Sequence, residues 1–364
     1  MNVKDILSLL NDFAPLHYTE GFDNTGLLVG NPNALTTGVL VTLDTLENIV
    51  DEAIQRKCNV IVSFHPIIFS GLKKITGKSY VERVVLKAIK NDINIIAIHT
   101  ALDNSFQGVN AKICDVLGLE NREVLIPKEG TIKKLTTYVP AKDAQKLKNA
   151  LFSVGAGSIG NYDNCSFSTD GIGTYKGNEN SNPVIGERGV VQEETETQLN
   201  ITFHPHLEAE ILKTLHTAHP YEEVAYELTT LNNMNQHIGM GMIGTLSESM
   251  NELEFLKFLK KKMKTDCVRH SNLQSKTIKK VAVLGGSGSF AIKNAINKEA
   301  DAYVTADCKY HDFFSAENNI LLADIGHYES EQYTKELLHA YLTKKMPNFA
   351  VVLSQINTNP ISYF

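Results

Sequence analysis

The chain carries one stretch of sequence twice. Gly38–Pro66 and Lys280–Cys308 align without a gap. Val39, Leu40 and Val41 fall on Val281, Ala282 and Val283, and Val60–Ser63 falls on Ala302–Thr305, with the same 21-residue spacing in both copies. Each copy runs on to a third apolar stretch that ends in polar residues: Ile93–Ile98 before His99 and Asp103, and Ile320–Ile325 before His327 and Glu331. Short, continuously apolar runs are the pattern of strands covered on both faces. The repeat therefore predicts two α/β halves, each a β-α-β unit. Imidazoles and carboxylates at the strand ends of both halves point to one shared metal site between them.

Between the copies the texture changes. Leu135–Val139 alternates like a half-buried strand, Lys142–Phe152 is helical, and Gly155–Gly189 is rich in Gly, Asn and Ser with short strands such as 166–169. Asn200–Phe203, His206–Thr217 and Glu223–Leu231 complete the order β-α-β-β-α-β, a ferredoxin-like pattern. The expected organisation is a first α/β half at 1–128, an inserted α+β domain at 129–235, and a second α/β half at 236–364.

Composition narrows the function classes. A net charge of −6 with no dense basic run weighs against nucleic acid as a partner. Lys260–Lys262 reads as the solvated face of an amphipathic helix over Leu253–Lys264. Five scattered cysteines without a C-x-x-C pair fit reduced thiols. No apolar run approaches the ~18 residues that span a bilayer, and Met1–Leu10 is too short and too charged for a secretory leader. The expected compartment is the cytoplasm, with no membrane partner.

The strand-end residues carry the chemistry. His65 follows one buried run, and Asp103 lies four residues after His99. His327 and Glu331 share a face if their segment is helical. Strand ends of open α/β sheets are where ligands gather, and imidazole with carboxylate suits Zn, Fe or Mn. Asp307 aligns with His65 and precedes Lys309, Tyr310, His311 and Asp312. Asp307, His311 and His99 are candidates for general acid–base work or for holding the ligands; Asp307 as a helix N-cap is the plainer alternative. Gly285–Ser289 is either a tight turn or a backbone cradle for phosphate, without the lysine of a P-loop. The structural reading is favoured for His219–Glu223, a turn before the last strand of the insertion.

Six segments, in order along nearly the whole chain, resemble the GTP cyclohydrolase I type 2 homologue family, the Ngg-interacting-factor-three-like proteins. They are Phe22-Asp-Asn-Thr-Gly-Leu-Leu-Val-Gly30, Val62-Ser-Phe-His-Pro-Ile-Ile-Phe69, His99-Thr-Ala-Leu-Asp103, Ala218-His-Pro-Tyr-Glu-Glu-Val-Ala-Tyr226, Leu284-Gly-Gly-Ser-Gly288 and Gly326-His-Tyr-Glu-Ser-Glu331. The resemblance implies a cleft holding up to two divalent metals (zinc, iron or manganese) on His65, Asp103, His327 and Glu331, with Glu331 the bridge. It implies a toroidal homohexamer and an insertion like the trimeric nitrogen-regulatory PII proteins. The implied reaction is hydrolytic opening of the imidazole ring of GTP, or of a related nucleotide or heterocycle, by a metal-bound hydroxide. The alternative is a non-enzymatic metal-binding regulatory or metal-handling hexamer. One departure matters: the family pattern has two adjacent histidines where this chain has Phe64-His65. A phenyl ring cannot ligate, so one of the two metals loses a donor.

Overall fold

Every strand of the repeat is apolar on both faces because both faces are covered. A computed structural model describes all 364 residues, in two compact units. One unit comprises Met1–Pro127 with Gln236–Phe364, and the other Lys128–Asn235.

The larger unit holds two mixed sheets. β1 (Gly26–Val29), β2 (Val39–Thr42), β3 (Val60–Ser63) and β4 (Asn94–Ala97) form the first; β5 (Leu119–Lys128) ends the first half of the sequence. After the smaller unit come β10 (Asn235–Asn251), β11 (Arg269–His270), β12 (Thr277–Ser287), β13 (Ala302–Ala306), β14 (Leu321–Asp324) and β15 (Val351–Leu353). The first sheet has the order β1-β4-β3-β2-β15 and the second β11-β14-β13-β12-β10-β5. Val39 pairs with Val60 in parallel, and Val281 with Ala302, so the aligned residues keep the same register in both sheets. The strand at the far edge, β1 or β11, is antiparallel in both.

Alternate residues divide between two layers. Val39, Val41, Val60, Val62 and Ile96 join Val281, Val283, Val304 and Ala323 in one core shared by the two sheets. Leu40, Ile61 and Ile95 pack outward against Ile49, Val50, Val84 and Ala88 of the helices Glu47–Gln55 and Tyr80–Lys90. Ala282, Leu284, Tyr303 and Leu322 do the same with Ile292 and Ala295. A period of two along a strand with both sides apolar leaves no solvent face. The one large polar group buried here, the Tyr303 hydroxyl, donates to the Gly288 carbonyl at 2.8 Å, so its burial is compensated.

Two segments depart from a simple division at the insertion. β15, at the end of the second half of the sequence, pairs with β2 of the first sheet. β5, from the first half, lies at the edge of the second sheet beside β10. The sequence boundaries of the halves are therefore not the boundaries of the sheets.

The smaller unit runs β6 (Ile132–Pro140), the helix Ala144–Ser153, β7 (Phe167–Lys176), β8 (Val191–Phe203), the helix Glu208–Ala218 and β9 (Tyr226–Leu231). Its sheet has the order β7-β8-β6-β9. Leu135, Val139, Leu199 and Ile201 pack on Leu147, Leu151, Ile211 and Leu215 of the two helices. The glycine-rich stretch, expected to hold only short strands, contributes the ten-residue β7. Its composition reads as loop because β7 is exposed almost throughout and carries no buried apolar period. No helix of the chain is long and apolar enough to cross a membrane.

Candidate metal centre

The C-terminal ends of the parallel strands bring the polar residues together. His65 follows β3, and His99 opens the short helix His99–Asp103 after β4. His327 and Glu331 are the first and last residues of a short helix after β14. That helix places both side chains on one face, as their spacing requires. His65 Nε2 and His327 Nε2 lie 3.1 and 3.2 Å from Glu331 Oε2, and 3.5 Å from each other.

Each imidazole is oriented from behind. His65 Nδ1 contacts Asp44 Oδ1 at 2.7 Å, and His327 Nδ1 contacts Asp307 Oδ2 at 2.7 Å. A carboxylate at Nδ1 fixes the tautomer with its hydrogen there, which turns the Nε2 lone pair forward. Two lone pairs and a carboxylate oxygen then face one point. Among neutral imidazoles this is three acceptors with no donor, a repulsive arrangement unless a cation sits between them. Without a metal the cation is the proton. Burial alone would lower the imidazole pKa values, but Glu331 and the supporting aspartates outweigh it. They push His65 up to about 10 and His327 up to about 9. Burial would raise the Glu331 carboxyl, yet the two imidazoles hold it at about 2.

A buried oxygen adds to the case for a cation. Asp103 Oδ1 is buried without a hydrogen-bond partner, and a native fold seldom leaves such an atom unpaired. Asp103 ends the helix after β4; burial, reinforced by the Glu331 charge, raises its carboxyl well above the ordinary range. The donor set of two imidazoles and buried carboxylates is suited to a divalent transition metal. His65, His327 and Glu331 place their donor atoms within 4.8 Å of one another. Asp103 is an electrostatic neighbour of all three but not one of that trio.

The remaining candidates separate. His99 stands beside the trio, its ring edge-on to His65 at 5.3 Å, with Nδ1 bound to Asp23 Oδ1 at 2.9 Å. Burial would raise Asp23, but hydrogen bonds from His99 and Thr100 hold it at about 2. Asp307 is not a helix cap. It takes a left-handed backbone, φ 54°, and its Oδ2 accepts from Ser287 while holding His327. His311 is exposed on the 3-10 helix Tyr310–Ala316, where its ring contacts are Tyr310 and Phe314. It is not one of the grouped trio. In the smaller unit His219 bonds the Tyr138 carbonyl at 2.9 Å and accepts from the Tyr221 amide at 3.1 Å, a turn-holding role.

Asp44 is the functional residue that sequence reasoning missed. The only available signal was a carboxylate just beyond the end of β2, next to the strand that carries His65. Its partner across the repeat is Gly286, and His65 aligns with Asp307. Equivalent positions thus hold a candidate ligand in one half and the support for a ligand in the other.

Phe64 is fully buried in the shared core, against His65 and His99 at 4.9 and 5.4 Å. It fills with hydrocarbon the place where a second histidine is expected.

Gly285–Ser289 is a structural turn rather than a phosphate cradle. The Gly285 amide donates to Asn110 Oδ1 and the Gly286 amide to Ser330 Oγ, so neither is free for an anion. Gly286 has φ 68°, and a Cβ there would lie 2.4 Å from Glu331 Oε1. Gly286→Ala is therefore expected to cost about 1–2 kcal/mol for the left-handed backbone. By displacing Glu331 it should also lower metal affinity by about 10–100-fold. Thermal unfolding and a chelator-competition titration measure the two effects.

Known proteins match the chain along its length. A family model described as Duf34/NIF3 (NGG1p interacting factor 3) matches residues 1–360. A Staphylococcus epidermidis protein named GTP cyclohydrolase 1 type 2 homolog is 35% identical over 368 residues, covering all of both chains. A Bacillus subtilis protein of the same name is 36% identical, covering all of this chain and 99% of its own. A solved structure of a Bacillus cereus protein related to NIF3 superimposes with a TM-score of 0.85 at 36% identity, over 100% of this chain and 99% of that one. With its fold and its whole length matched, the chain belongs to the Duf34/NIF3 family.

Proposed function

We propose that this protein holds one divalent cation on His65, His327 and Glu331, with Asp103 alongside, and uses it to hydrolyse a nucleotide-like heterocycle. The observation that carries the reading is the convergence of two imidazole nitrogens and a buried carboxylate oxygen on one point. A divalent metal there supplies a Lewis acid and a water acidified toward neutral pH. The protein's own groups do the rest. Asp44 and Asp307 hold the imidazoles in register. His99 has Nδ1 fixed by Asp23 and keeps Nε2 without a hydrogen-bond partner, so it is the group placed to move a proton beside the centre. Phe22 and Phe69 lie 6.4 Å apart and are largely exposed, and Phe69 lies 6.3 Å from His99. They offer a planar ring a face to stack on. The relatives named GTP cyclohydrolase 1 type 2 homolog make the imidazole ring of GTP the first substrate to try.

The same reading takes the two sheets of the larger unit as duplicated halves, supported by their common register. It takes residues 129–235 as an inserted ferredoxin-like, PII-like domain, supported by the order β-α-β-β-α-β, and the assembly as a cytoplasmic homohexamer.

The test is formate release from GTP by chain loaded in turn with Zn, Mn and Fe. Release that is absent in Glu331→Ala supports the enzyme. No release under any loading, from protein that does bind metal, supports the second reading instead, a metal-holding regulatory module. Phe64 favours that second reading over a paired-metal hydrolase, because it removes a donor from the pair.

A further inference from the structure

Both imidazoles of the proposed centre are held by the same kind of chain: a hydroxyl donating to a carboxylate, which holds Nδ1. For His327 the hydroxyl is Ser287, at the end of β12, acting through Asp307. For His65 it comes from the far end of the sequence. Thr358 Oγ1 donates to Asp44 Oδ2 at 2.5 Å, while Asp44 Oδ1 holds His65. Thr358 is 94% buried although it lies in the coil after β15. The next residue, Asn359, donates from Nδ2 to Glu329 Oε1 at 3.0 Å, on the helix that carries His327 and Glu331. Four residues before Thr358, Ser354 donates to Glu52 Oε2 at 2.6 Å and anchors the segment to the first half.

We infer that residues 354–359 are a built part of the metal centre, with Thr358 the positioning residue that fixes His65 through Asp44. The inference rests on the metal reading of the preceding section. The C-terminal segment touches the support of one ligand and the helix of the other two, so it ties together the two sides of the site. An aspartate holding a ligand imidazole is itself free to rotate about its own side-chain bonds. The hydroxyl on its second oxygen removes that freedom and leaves Oδ1 aimed at Nδ1. Loss of such an outer partner costs about 10–100-fold in metal affinity. Docking and metal binding should also be linked, because an ordered His65 stabilises the Asp44–Thr358 contact in return.

The experiment compares wild type, Thr358→Val and Thr358→Ser as full-length, chelator-stripped protein, titrated with Zn²⁺ against a chromophoric chelator. Valine keeps the shape and loses the hydroxyl, and serine keeps the hydroxyl. The expected result is a Zn²⁺ affinity lower by about 10–100-fold in Thr358→Val and within about threefold of wild type in Thr358→Ser. Hydrogen exchange of the 354–361 amides should slow on adding Zn²⁺ to wild type and to Thr358→Ser, and not to Thr358→Val. Equal affinity in wild type and Thr358→Val, with Zn²⁺ bound by both, overturns the inference and leaves the metal centre standing. Equal loss in the serine variant overturns it too, because a shape effect would then explain both. Absence of Zn²⁺ binding in wild type itself overturns the metal reading and this inference with it.

Discussion

Glu331→Gln is expected to lose metal binding by more than the roughly 100-fold that removal of an outer partner costs, and to change how the metal-free protein responds to pH. The carboxylate is the one negative group on which both imidazole nitrogens converge. An amide oxygen keeps the shape and removes the charge. In metal-free wild type, His65 and His327 have folded pKa values of about 10 and 9, above the ordinary 6.5. Groups raised on folding stabilise fully below the unfolded pKa, so this contribution is complete below about pH 6.5. It fades as pH climbs through 9 and 10. Glu331 is lowered from 4.5 to about 2, so its contribution is complete above 4.5 and fades as pH falls toward 2. The contribution of these three groups should therefore be complete between about pH 4.5 and 6.5, while Asp103, raised on folding, adds a decline in stability as pH climbs above the ordinary carboxyl range. Breaking a buried pair costs about 3–5 kcal/mol. Partial exposure of both imidazoles places Glu331→Gln at the low end of that range. Denaturant unfolding across pH reads both the loss and the flattening of the alkaline slope. The same protons compete with metal. Two must leave below pH 9, so apparent affinity in wild type should rise by up to about 100-fold per pH unit near neutrality. In Glu331→Gln the slope should shrink as the imidazoles return toward their ordinary range.

Phe64→His is expected to raise metal content and lower apoprotein stability at once. Phe64 is fully buried in the core shared by the two sheets. Replacing its phenyl ring with an imidazole gives up apolar burial that stabilises by about 2–3 kcal/mol, and it places a polar ring among hydrocarbons. The new ring would stand beside His65 and His99. An imidazole there offers the second of the two adjacent histidines that the family resemblance implies. Elemental analysis should show metal rising toward two per chain. Metal should recover much of the lost stability, because ligand that binds only the folded state stabilises it by mass action. A variant that is destabilised and gains no metal would mean Phe64 is a core residue with no bearing on the second ion.

The parts of this site that were legible in the sequence are those set by local periodicity. His327 and Glu331 stand four apart after a buried run, and the helix there places them together. His65 follows a run whose pairing register the repeat reveals. What was hidden depends on contacts between distant segments. Asp44 becomes a support only because β2 lies beside β3, and Thr358 reaches it from 314 positions away. The pairing of β15 with β2 and the place of β5 in the second sheet are likewise long-range and leave no local pattern. His311 attracted attention by its neighbours in sequence, but the direction of a short helix decided its place in space. Asp307 was found by alignment with His65, yet alignment could not say that the matched position had exchanged ligation for support.

The central claim is a single cation held where two imidazoles and a buried carboxylate meet. Chelator-stripped protein, titrated with Zn²⁺ at pH 7.5 and then desalted for elemental analysis, tests it most directly. The account predicts about one tightly held metal per wild-type chain and almost none in His65→Ala or Glu331→Gln. A wild-type chain that retains no metal, or retention unchanged in both variants, would contradict it.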